Sequence, residues 1–192
     1  MSTRIVTAVI LLSGLSSAAH AAESYTIDPL HTYTHFSVNH LGFSTMQGRF
    51  DRSSGKITLD RAASSGTVDI SIEAGSINTG HGKRDQHLGG PDFFNAAEFP
   101  SVTYKSSAVK FKRDTPTRVE GNLTLLGVSK PVTLSIDSFN CGIDPMDPLK
   151  KKEKCGAAVS AQIKRSDFGM SYGLPNVGDD IKLVFEVEAY KD

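Results

Sequence analysis

The sequence predicts an all-β protein, an antiparallel β-barrel with one or two short helices. Three observations carry that prediction. Apolar and polar residues alternate with a period of two in several segments, short Gly- and Ser-containing stretches separate those segments, and helical periodicity is scarce. Many short strands joined by tight turns suit a sandwich or a barrel, and only a closed barrel removes every exposed edge.

The chain opens with the three parts of a secretory leader: Arg4 in a short basic start, the apolar run Ile5 to Leu15, and Ala19-His20-Ala21 as a small-x-small cleavage site. Residues 1–21 are therefore expected to be removed, leaving 171 residues, 22–192, as one domain large enough for a sizeable core or cavity. The apolar run is about ten residues long, too short to cross roughly 30 Å of hydrocarbon, and no later stretch reaches that length. A soluble periplasmic product without stable membrane insertion is expected.

Within that domain, Phe36 and Val38 begin the alternation. Ser53-Ser54-Gly55 and Ser64-Ser65-Gly66 read as reversals. Val68, Ile70, Ile72 and Ala74 then alternate with Thr67, Asp69, Ser71 and Glu73, as in a strand with one buried face. From His81 to Glu98 the pattern breaks: polar residues precede Leu88, Phe93, Phe94 and Phe99, which suits a short helix followed by an aromatic plug. Gly89, Gly90 and Pro91 keep any helix there short. Alternation resumes through Val119 to Leu125, turns at Gly127, and continues through Val132, Leu134 and Ile136. Val159, Ala161 and Ile163 repeat it, and Ile181, Leu183, Phe185, Val187 and Ala189 close the chain with its longest run.

Cys141 and Cys155 flank a polar, proline-containing stretch and lie 14 positions apart, so in an exported chain they are expected to form a disulfide across a loop. Without Arg4 the formal charge is −1, and no basic block of the kind nucleic acid requires is present.

Five histidines follow the leader: His31, His35, His40, His81 and His87. On a strand, His31 and His35 would stand about 13 Å apart, too far to share one ion, and no metal site is expected. No Gly-x-Ser-x-Gly elbow or phosphate loop occurs, so neither a catalytic residue nor a required cofactor is assigned. The ten phenylalanines include Phe36, Phe43, Phe50, Phe93, Phe94 and Phe99 near the histidine-bearing segments, where they build a core or line a tunnel. Ala74, Ala157, Ala161 and Gly121 are small residues that would leave room for one. Lys83 and Arg84, with His87 and His35, are candidate contacts for a ligand's polar head group.

A series of segments resembles one family. It runs from Tyr25-Thr26-Ile27-Asp28 and His31 through His35-Phe36-Ser37-Val38-Asn39-His40-Leu41-Gly42 and Gly48-Arg49-Phe50. It continues with His87-Leu88, Asp92-Phe93-Phe94 and Phe99-Pro100, then Gly121 to Gly127, Lys130-Pro131-Val132 and Arg165-Ser166-Asp167-Phe168-Gly169-Met170. In this order they resemble the YceI-like family of periplasmic polyisoprenoid-binding proteins. The resemblance implies an extended, eight-stranded, lipocalin-like barrel that holds a polyprenyl chain such as an isoprenoid quinone or a prenyl diphosphate. Gly89-Gly90-Pro91 departs from the polar or basic residue that the family often carries there.

On that footing the tunnel is expected to be lined by Phe36, Val38, Ile70, Ile72, Phe94, Val159, Ile163, Phe168 and Phe185. The partner is an apolar lipid, and both monomer and homodimer stay open. Two rival functions also stay open: a hydrolase or isomerase using His31, His35 or His87 as general base, and an envelope stress protein with the barrel as scaffold.

Overall fold

The computed structural model describes residues 22–192, so the leader expected at residues 1–21 lies outside the described residues. Eleven strands form one antiparallel sheet: β1 (Glu23–Ile27), β2 (Tyr33–His40), β3 (Ser44–Phe50), β4 (Ser53–Asp60), β5 (Ser65–Glu73), β6 (Ile77–Asn78), β7 (Ser101–Lys112), β8 (Thr115–Leu125), β9 (Val128–Ile143), β10 (Glu153–Lys164) and β11 (Val177–Lys191). One helix, α1 (Gly82–Leu88), and two single 3₁₀ turns complete the structure among the described residues.

Six of these strands are halves of three bent ones. β1 pairs with β4 and β2 with β3, so the two segments make one long hairpin kinked at residues 28–32 and 51–52. β6 extends β5 in the same way by pairing with β3. Counted as continuous staves, the barrel has eight strands running up and down in sequence order. It closes where Tyr25, Thr26 and Ile27 pair with Lys191, Tyr190 and Ala189. The lipocalin-like, eight-stranded expectation holds.

This topology sorts the connections between two ends. The upper end carries the β2–β3 turn, α1 with the segment to Pro100, the β8–β9 turn and residues 165–176. The lower end carries residues 61–64, 113–114 and 144–152.

Two expectations of local structure change. Ser53-Ser54-Gly55 does not reverse the chain but opens β4, with Gly55 opposite Ile70, and a Cβ on Gly55 would lie 2.2 Å from the Asp69 carbonyl oxygen. That glycine serves close approach of two strands. Ala74 leaves the strand for a 3₁₀ turn, where it is buried.

Two apolar clusters fill the barrel. A lower plug of Tyr25, Ile27, Leu59, Cys155 and Ala189 packs at the β1 end. The larger cluster, including Phe50, Ile72, Val102, Tyr104, Leu123, Val159 and Phe168, runs up to the segment after α1. Cys141 and Cys155 face each other across β9 and β10 and are joined by a disulfide, as expected from their spacing.

Candidate functional site

The interior is not filled throughout. On β11, Ile181, Leu183, Phe185 and Val187 all point inward, yet each stays only half-buried, and full burial is reached only at Ala189 in the lower plug. A close-packed interior would bury all of them. The space they face comprises two chambers stacked along the barrel, each with about 110 Å³ open to the centre of a water-sized sphere. A single water needs only about 10–15 Å³ on that measure. Thr34, Leu123, Leu183 and Phe185 border both chambers and form the waist between them.

The lower chamber is walled by Ile57, Val68, Ile70, Val119, Val159 and Val187, among others. The upper one is walled by Phe36, Val38, Phe50, Phe94, Ile163 and Ile181 and roofed by Leu88 and Phe93. The ring of Phe50 lies 5.9 Å from Phe36 and 5.2 Å, edge to face, from Phe94. The aromatic plug read from the sequence is thus the lid of the upper chamber. Its position is fixed from α1, where the Leu88 carbonyl accepts from the Phe94 amide at 2.9 Å.

Two large polar side chains that touch the walls, Tyr104 and Arg165, turn their polar groups to the backbone, while the buried Ser53 hydroxyl at the lower chamber has no hydrogen-bond partner. Tyr104 borders the lower chamber with its ring, while its hydroxyl is directed to the carbonyls of Val119 and Val132 at 3.1 and 2.9 Å. Burial pushes its pKa up, so it stays neutral. Arg165, buried at 3% exposure, donates to the carbonyls of Gly178, Met170 and Val177 at 2.8–3.0 Å and leaves its aliphatic stem to the upper chamber. Burial lowers its pKa against the opposing pull of Asp179.

Of the residues named from the sequence as tunnel lining, Phe36, Val38, Phe94 and Ile163 stand on the upper chamber, Ile70 and Val159 on the lower, and Phe185 on both. Ile72 and Phe168 are packed in the core, at 4% and 2% exposure, away from both walls. The sequence reading did not reach the waist residues Thr34, Leu123 and Leu183 as lining, although the last two sit on alternations it had found. It also did not reach Arg165, whose charge gives no hint of an apolar wall.

Of the proposed head-group residues, one lies on β2 and three on α1. His35 alternates with the inward Thr34 and Phe36 and so lies on the outer face, its Nε2 3.4 Å from Glu186. Lys83, Arg84 and His87 are on α1 at the upper end. Lys83 is exposed, Arg84 is tied to Thr79 through Nε and Nη2 at 2.7 and 2.8 Å, and His87 stacks near Phe93 and Tyr172. His31 is far from these, with Nδ1 2.7 Å from Asp28.

Asp28, His31 and Glu188 bring three ligand-type atoms within 4.8 Å of one another. The Lys154 ammonium already stands among their carboxylates, 2.6 Å from Glu188 and 3.8 Å from Asp28, and supplies the compensating charge. Burial pulls the Lys154 pKa down, but contacts with Glu188 and Tyr190 outweigh it and hold the ammonium protonated. The cluster reads as a structural ion network.

Three comparisons bear on this site. The family model described as YceI-like domain matches residues 25–189. A "UPF0312 protein" of Pseudomonas aeruginosa is 34% identical over 195 residues, covering 100% of both chains. Among solved structures, the Campylobacter jejuni YceI protein superposes with a TM-score of 0.67 at 32% identity, covering 80% of this chain and 90% of that one. A polyisoprenoid binding domain from Saccharophagus degradans shares the fold, with a TM-score of 0.62, 16% identity, and coverage of 88% of this chain and 99% of that one.

Proposed function

The chain belongs to the YceI-like family, and from that premise we propose that it is a periplasmic carrier that holds a polyisoprenoid-type lipid, an isoprenoid quinone or a prenyl diphosphate, along its two chambers. The single observation that carries this reading is the run of inward, half-buried apolar side chains on β11 beside two chambers walled almost entirely by apolar side chains. Such walls favour hydrocarbon, at about 0.8 kcal/mol per buried methylene, and offer little to a polar group. A head group would therefore stay at the upper end, where Lys83 and His87 are exposed. The fold neighbour from Saccharophagus degradans, itself described as polyisoprenoid-binding, is consistent with this ligand class.

Binding rather than catalysis is the role this wall supports. The leader read in residues 1–21 and the Cys141–Cys155 disulfide both suit an oxidising compartment outside the cytoplasm. Lipid extracted from protein purified out of the cell envelope and analysed by mass spectrometry is expected to contain a polyprenyl chain. Extracts with no apolar chain would sink the reading.

A further inference from the structure

Two tight turns at the upper end share one backbone conformation and differ in what they do with it. Leu41-Gly42, joining β2 to β3, has φ of 57° and 73°, and Leu126-Gly127, joining β8 to β9, has φ of 51° and 73°. Leucine is a poor choice for such a left-handed position, where Asn or Gly carries little penalty. Leu126 has a packing reason, because it lies against the main core. Leu41 has none: it is 49% exposed, and Phe43 beside it is 90% exposed.

The tip is nonetheless held firmly. The Leu41 amide donates to the Asn176 carbonyl at 2.8 Å, the Gly42 amide to Asn39 Oδ1 at 2.9 Å, and the Phe43 amide to the His40 carbonyl at 3.0 Å. Two apolar side chains are therefore displayed on a fixed frame, against both the chemistry of the turn and the preference of apolar groups for the interior. A rule broken without a folding gain points to function.

The tip stands at the end of the barrel that holds the upper chamber. Val38, on the same strand, and Val177, paired with His40, both wall the upper chamber. Tyr172, 51% exposed, belongs to the segment of residues 165–176 at the same end. The opposite end of the barrel carries the lower plug of apolar side chains.

We propose that the Leu41-Gly42-Phe43 tip is a membrane-contact element that seats the upper end of the barrel on a lipid bilayer. This rests on the carrier reading, since a membrane is the phase from which such a ligand is taken and to which it is returned. The contact is hydrophobic: the tip and its flanks, Asn39 to Thr45, contain no lysine or arginine, so insertion depends weakly on salt.

The chain contains no tryptophan, so Phe43→Trp places a unique fluorophore at the tip. With phosphatidylcholine vesicles its emission is expected to shift to the blue and to be quenched by lipid brominated on the acyl chain. Partitioning of the protein without that reporter is expected to fall at least about tenfold in L41N/F43S. Asn-Gly suits the turn, so the melting temperature of this variant should not fall, and its uptake of a polyprenol from solution should be unchanged. No blue shift, or a loss of self-association instead of vesicle binding in L41N/F43S, overturns the proposal. Uptake from solution without tip-dependent vesicle binding overturns the tip and leaves the carrier reading. Tip-dependent vesicle binding without uptake by either protein supports the tip and overturns the carrier.

Discussion

Gly121 shows how one residue can be read correctly as small and inward yet serve a different purpose. A Cβ added there would lie 2.5 Å from the Lys105 carbonyl oxygen and 2.7 Å from the ring and hydroxyl of Tyr104. The missing side chain makes room for Tyr104 to cross β8 and reach the Val119 and Val132 carbonyls. Gly121→Ala is expected to cost about 1–3 kcal/mol, read as a lower urea midpoint at unchanged slope. Arg165 is the converse case. Its motif was visible in the sequence, but an arginine can wall an apolar chamber only when three carbonyls from two segments converge on its guanidinium, and that convergence is tertiary.

Elements were legible where period two ran unbroken. β11 keeps its alternation over the whole inward run, and β8 to β10 keep theirs over shorter stretches. β7 was not named from the sequence, because a bulge between Ser106 and Ala108 moves its inward residues from Val102 and Tyr104 to Val109 and Phe111 and so switches the parity of the pattern. β3 has too few apolar residues to signal a strand. It exists because β2 and β6 pair with it on both sides.

The β9–β10 hairpin is fixed at both scales, since the two cysteines sit at matched register positions around the long loop to Lys152. Replacing both with alanine is expected to cost about 3 kcal/mol on the loop-entropy account while leaving the far-ultraviolet dichroism of a barrel. Loss of the barrel signal at room temperature would show the bridge to be needed for folding itself.

At the scale of the molecule, the waist decides ligand length. Leu183 borders both chambers, so Leu183→Trp fills space that is already there and is expected to keep or raise the melting temperature. Titration with polyprenols of increasing length should then show loss of the long chains and retention of those short enough for one chamber. Equal binding of all lengths would place the ligand elsewhere.

The ion network ties the kink at residues 28–32 to β10 and β11 and gives a pH dependence. Burial raises the Asp28 pKa, but the His31 hydrogen bond, the Leu30 amide and the Lys154 charge outweigh it and hold it below its ordinary 3.8. Asp144 is held down by the Tyr190 hydroxyl at 2.6 Å and the Met146 amide. A carboxylate with a depressed folded pKa stabilises fully above its unfolded value and loses that stabilisation as pH falls through the folded one. The melting temperature is expected to fall below about pH 4 and to fall less steeply in Asp28→Asn, whose own stability at neutral pH is lower.

By itself the sequence determined the class of fold, the short helix with its aromatic plug and the disulfide, because each is written in local chemistry: a period, a glycine, a pair of spaced cysteines. It also placed most of the apolar residues that face the interior, since alternation decides which side of a strand they take. Only the tertiary structure decided that the barrel is hollow in two chambers, that Ile72 and Phe168 are packed core, and that the proposed head-group residues are divided between β2 and α1. Alternation says which face is inside, but whether opposite faces meet depends on the diameter at which eight bent strands close.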